Sequence, residues 1–185
     1  MAITWDELTV QRKELADNLL KYWLNENIFT TQWWFILFTV IIGFTIFCKL
    51  VDKKRLMEII TYGLMVILVG ISLDLAGVSF VLWGYPNKLL PVLPSLFTVH
   101  LSSLPILMML HYQYFNGWKR FTWTLIILSA LFSFLFEPFY VWAGIYEEHN
   151  WKYIYSFPIY IAIGLCLKWC MKLIKEIENK HKGVS

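Results

Sequence analysis

Five apolar runs, at 32–50, 56–83, 95–114, 121–146 and 151–174, divide this chain, and each is long enough to cross a lipid bilayer as a helix. Hydrocarbon offers a backbone no hydrogen-bond partners, and a helix satisfies its own within one segment. The expected fold is therefore all-α: an integral membrane bundle of five transmembrane helices plus an N-terminal amphipathic helix. A composition 58% hydrophobic with ten Trp fits that class rather than a soluble domain. The net charge of +3 is small, and its basic residues sit at helix ends, so no nucleic-acid partner is expected.

Residues 1–30 are polar and read as an amphipathic surface helix, not as a secretory signal. Thr4 and Glu7 have the spacing of a capping box. Leu8, Leu15, Leu19, Tyr22 and Trp23 then recur at helical spacing. Such a helix lies on the membrane surface, over the bundle, or along the protein as a solvated arm. Residues 31–174 form one transmembrane domain, and 175–185 a charged cytoplasmic tail that frays.

The run 56–83 would reach about 40 Å as one straight helix, so it tilts, or bends near Asp74 and Gly77. Gly63, Gly70 and Gly77 make a line of small residues that admits a close neighbour. Three prolines between Gly84 and Pro94 exclude continuous helix there, and Pro138 is expected to bend or end the fourth helix. Glu58, one turn from Lys54 and Arg55, reads as a structural ion pair. Cys48, Cys166 and Cys170 lie in or beside apolar runs and do not suggest disulfides.

Eleven of the sixteen Lys and Arg fall in the loops at Lys49–Arg55 and Lys119–Arg120 and toward the C-terminus. The positive-inside rule then places the N-terminus outside and the C-terminus inside. Trp33, Trp34, Trp83 and Trp151 mark the outer belt, and Trp118, Trp123 and Trp169 the inner one.

Two acids lie within the apolar runs, Asp74 and Glu137, and an acid in lipid points to a functional site. Each follows an inner arginine, Arg55 or Arg120, by about 28 and 25 Å of helix, so both sit toward the outer half. Their surroundings suggest a 2+2 repeat, 56–114 with 121–174, related by an axis along the membrane normal. That axis would bring the acids together in an outward-facing polar pocket. His100 would act as shuttle or base beside them. Ser95, Ser133, Trp83, Trp142 and Tyr146 would complete the lining, with Ser129, Ser133 and Glu137 forming one polar stripe. The same residues have structural readings: acids and serines that pin helices together, and aromatics that anchor the belt. Asp74, His100 and Glu137 are suitable metal-ligand types, but nothing in their spacing marks a metal site. No nucleophile elbow, phosphate loop, zinc or haem motif occurs, so no cofactor is expected.

The run Leu82-Trp-Gly-Tyr-Pro-Asn-Lys-Leu-Leu-Pro-Val-Leu-Pro94, with Phe136-Glu-Pro-Phe, Gly144-Ile-Tyr and Trp151-Lys-Tyr-Ile-Tyr-Ser-Phe-Pro158, resembles a family of uncharacterised small membrane proteins from spore-forming Gram-positive bacteria. The resemblance covers about 30–172 and implies a multipass protein of the bacterial plasma membrane. The chain is also similar, more weakly, to the repeats of membrane-bound lycopene and terpene cyclases, where Asp74 and Glu137 would match the acids. It departs from them at Leu93-Pro-Ser-Leu and Ser156-Phe-Pro-Ile, which lack the paired acids of those enzymes.

Three functions remain open from the residues: binding of a lipidic, isoprenoid-like or other amphiphilic ligand, protonation of a prenyl chain by one acid while the other stays ionised, and a structural subunit whose acids lock helices. A transport path through five helices would need oligomerisation, and a homodimer or a membrane-protein partner is compatible with each.

Overall fold

The computed structural model describes residues 3–91 and 102–182, and six α-helices carry most of them. Helix α1 spans Trp5–Tyr22 and runs into a π turn at Trp23–Asn27. Helix α2 is Thr31–Leu50, α3 is Leu56–Ser79, and α4 is described over Ser103–Tyr114. Helix α5 runs Trp118–Trp142 with a π turn at Phe132–Phe136, and α6 is Tyr153–Lys182. Two short strands, β1 at Trp83–Gly84 and β2 at Glu147–Glu148, pair antiparallel.

Four segments are long and apolar enough to cross a membrane: Thr31–Leu50, Lys53–Ser79, Trp118–Trp142 and Tyr153–His181. The fifth expected span, 95–114, falls partly outside the described residues, and its described part is the shortest of these helices. Their outward faces are apolar, as with Phe38, Ile42, Leu64, Leu68, Trp123 and Ile127. An exposed apolar surface of that extent suits lipid rather than water.

Helix α4 lies at the centre. Pro105, Ile106 and Met108 to Gln113 are all buried, as befits a helix enclosed on several sides. It packs against α2, α3 and α5, while α6 closes against α3 and α5. The main core fills the basic end of the bundle, with Ile59, Tyr62 and Val66 of α3 against Met109 and Tyr112 of α4, and Phe121 and Leu125 of α5 against Leu167 and Met171 of α6. Tyr62 and Tyr112 stack at 4.3 Å. A methyl group at Gly63 would meet Met109 Sδ at 2.3 Å, and one at Gly164 would meet Leu125 Cδ2 at 2.7 Å. Each glycine admits the facing side chain.

Polar side chains fix the loops at this end. Gln113 accepts from the Asp52 amide at 2.8 Å and donates to the Leu50 carbonyl at 2.9 Å, closing the α2–α3 corner. Lys168 of α6 donates to the carbonyls of Phe115 and Asn116 at 3.0 Å each, closing the α4–α5 corner. Glu58 is held by Arg55 at 2.7 Å, Lys175 at 2.6 Å and the Tyr112 hydroxyl at 2.7 Å, which makes the expected ion pair part of a larger cluster.

Three local expectations change. Helix α3 stops at Ser79, so the run 56–83 is shorter as helix than its apolar length, and its last residues fold back. Pro138 does not end helix α5: the regular turns are interrupted by the π turn directly before it and resume at Glu137, which places the missing N–H at the start of the resumed segment. The C-terminal segment does not fray at Lys175: α6 stays helical to Lys182, tied by Lys175 to Glu58 and by Lys172 to Glu176 at 3.6 Å.

Candidate functional site

Asp74 lies near the end of α3 with only 2% of its surface exposed. Beyond Ser79 the chain reverses. The Leu82 amide bonds back to the Gly77 carbonyl at 2.9 Å and the Val81 amide to the Val78 carbonyl at 3.0 Å, with Val81 left-handed at φ 54°. This is a Schellman stop, a place normally taken by glycine. The reversal brings the Trp83 indole against the backbone of Gly77, where a methyl group would sit 2.0 Å from the ring. Gly77 thus serves the chain's own returning tryptophan. Trp83 Nε1 donates to Asp74 Oδ1 at 3.1 Å, and the Tyr85 hydroxyl donates to the same oxygen. Burial first, and the Asp74 carboxylate second, hold the Tyr85 phenol well above its ordinary range, so it remains a protonated donor.

Glu137, on α5 just past the π turn, is bound in a similar way from α6. The Tyr160 hydroxyl donates to Oε1 at 2.7 Å, and Ser156 Oγ donates to Oε2 at 3.1 Å while accepting from Trp151 Nε1 at 3.0 Å. Among the described residues each acid therefore receives a tyrosine and an indole, the second indole relayed by a serine. The two indoles meet edge to face at 5.1 Å. The β1–β2 pair and Leu82, whose carbonyl accepts from the His149 and Asn150 amides at 3.0 Å each, stitch these loops together. Gly144 turns at φ 69°, and its carbonyl accepts from Asn87 Nδ2 at 2.8 Å.

Both acids line one cavity of about 430 Å³. Its walls are largely apolar, among them Val66, Leu73, Leu107, Phe132, Phe136 and Ile163, and Tyr146 and Ser129 add polar atoms. No Lys, Arg or His lines it among the described residues. Among the described residues Glu137 accepts one hydrogen bond on each oxygen, and a carboxylate has room for about four.

Of the residues read from the sequence, Asp74, Glu137, Trp83 and Tyr146 come together here. Ser133 is fully buried in the π turn but is not on the cavity wall, since the wider turn breaks the even stripe from Ser129 to Glu137. Trp142 faces away: it is 82% exposed and packs on Phe139 at 5.8 Å. Five residues past Glu137 is about 140° around the helix, and that phase turns it from the cavity. Ser95 and His100 lie outside the described residues. Tyr85, Tyr160, Ser156 and Trp151 were not read as site residues. The i, i+4 spacing of Ser156 and Tyr160 on one helix face is the signal that could have found two of them.

No protein-family model matches the chain, and no curated protein and no solved structure is significantly similar to it.

Proposed function

We propose that this chain is a multipass membrane protein that binds an amphiphilic ligand in the cavity between Asp74 and Glu137. The observation that carries this is the convergence of two hydrogen-bonded carboxylates on one apolar-walled cavity. Its size and its few polar groups suit a small-molecule site. The apolar wall suits a lipid or isoprenoid-like chain. Two acids with no basic residue in the described lining suit a head that donates hydrogen bonds, a hydroxyl or an ammonium. The positive-inside count supports an outer position for this site, with the N-terminus outside, the C-terminus inside and the 95–114 run as fifth span. The quoted motifs support the five-helix family and the bacterial plasma membrane. The pairing of α3 with α4, α5 with α6, α3 with α6 and α4 with α5 is the set that a 2+2 repeat would produce.

Native mass spectrometry of the gently extracted protein tests this, with Asp74→Asn and Glu137→Gln beside the wild type. The expected result is a co-purified amphiphile that both variants lose while they still fold. An empty wild type whose variants only melt earlier would favour the structural-subunit reading. The aromatic faces of Phe132, Phe136, Trp83 and Trp151 also favour a second reading, prenyl-chain protonation, because such faces stabilise cations. Turnover of a prenyl substrate that disappears with either acid would establish it.

A further inference from the structure

We propose a second binding site at the opposite, basic end of the bundle, for a phosphate group carried by an anionic lipid head or free in solution. It rests on other residues than the cavity above. A cavity of about 460 Å³ opens between the start of α3, the α4–α5 corner and the last turns of α6. Arg55, Lys168, Lys172 and Lys175 line it, with Trp118 and Asn116 beside them. Two acids offset these four cations. Glu58 is engaged by Arg55 and Lys175, and Glu176 by Lys172. Asp52 also acts on Arg55, and among the described lining residues the balance stays positive.

Lys168 is the residue that marks a site. It is 94% buried, being only 6% exposed. Its Nζ donates to two backbone carbonyls and sits 3.8 Å above the Phe121 ring and 5.4 Å from the Trp118 ring. Among the described residues no carboxylate pairs with it. A buried ammonium without a counter-ion is costly unless an anion supplies one. Phosphate suits the place better than a carboxylate, because three or four oxygens can meet several donors while its charge answers the surplus. The position also fits a lipid head: basic pockets between spans near the membrane surface take anionic head groups, and Trp118 stands where an aromatic belt would.

The test uses the full chain in detergent. Native mass spectrometry compares retention of phosphatidylglycerol and phosphatidylcholine with matched acyl chains, for wild type, Lys168→Met, Lys172→Gln and the control Lys119→Gln. Calorimetric titration with inorganic phosphate is run alongside. The expected result is preferential retention of phosphatidylglycerol, reduced about fivefold by each pocket variant and unchanged in the control. Saturable phosphate binding lost in the pocket variants, without a lipid preference, assigns the same site to free phosphate. If neither probe binds, if binding ignores the pocket variants, or if Lys119→Gln weakens it equally, the site is refuted. Lys168→Met strips a donor from two carbonyls and can unfold the corner. Lys172, with 57% of its side chain exposed, then carries the test alone.

Discussion

Gly77→Ala should break the seat of Trp83 and with it part of the Asp74 site. The added methyl would lie 2.0, 2.2 and 2.4 Å from three atoms of the indole. Ordinary carbon contact is about 3.5–4.0 Å, so the ring must move by about 1.5 Å. Such a shift carries Nε1 from 3.1 Å out of bonding range of Asp74 Oδ1 and disturbs the edge contact with Trp151. A lost bond to a charged acceptor costs about 1.5–3 kcal/mol, and the aromatic pair is worth about 0.5–1.5 kcal/mol. Alanine returns about 1 kcal/mol of helix propensity. The expected net loss is about 1–3.5 kcal/mol. Gly43→Ala is the control, since its methyl would sit at an ordinary 3.4 Å from Ile106. Reversible unfolding in detergent measures both, in a cycle that combines Gly77→Ala with Trp83→Phe. Coupling above about 1 kcal/mol is expected for residues in contact. A Gly77→Ala protein as stable as the wild type, or two fully additive substitutions, would refute the seat.

Two further substitutions probe the frame around the sites. Val81→Gly should stabilise the protein by about 1 kcal/mol in the same unfolding assay, because a β-branched residue there occupies a left-handed conformation. Val81 is 59% exposed, so little burial is lost. A destabilised Val81→Gly protein would contradict that strain. Glu58→Gln removes the negative charge shared by Arg55, Lys175 and Tyr112 and replaces one acceptor oxygen with a donor amide, which should cost about 2–3 kcal/mol. An unchanged melting temperature would mean that the cluster is screened by water.

How much of this could be read beforehand depended on the range of the interaction. The Thr4–Glu7 capping box forms as spaced, with the Thr4 amide 2.8 Å from Glu7 and the Glu7 amide 3.3 Å from Thr4 Oγ1, because it needs only one turn of helix. Arg55 and Glu58 pair for the same reason. Asp74 and Glu137 stood out because an acid in an apolar run is conspicuous whatever the fold. Trp142 is not on the cavity wall, and belt and cavity aromatics look alike in sequence until the helix phase is known. The π turn lies before Glu137, so it shifts Ser133 and not Trp142, by an extra residue per turn that no simple periodicity reveals.

The sequence by itself determined the helical class, the apolar segments, the Thr4–Glu7 cap and the two acids inside those segments, all legible from local backbone chemistry and from charge standing out in apolar surroundings. Only the tertiary structure decided what meets what. It laid Trp83 on Gly77, brought Tyr160 and Ser156 to Glu137, paired the strands at Trp83 and Glu148, and left Lys168 buried beside Arg55 and the other lysines of α6. These are contacts between segments distant in the chain, governed by crossing geometry and side-chain volume. No single segment carries either quantity, so the sites they build emerge only when the helices pack.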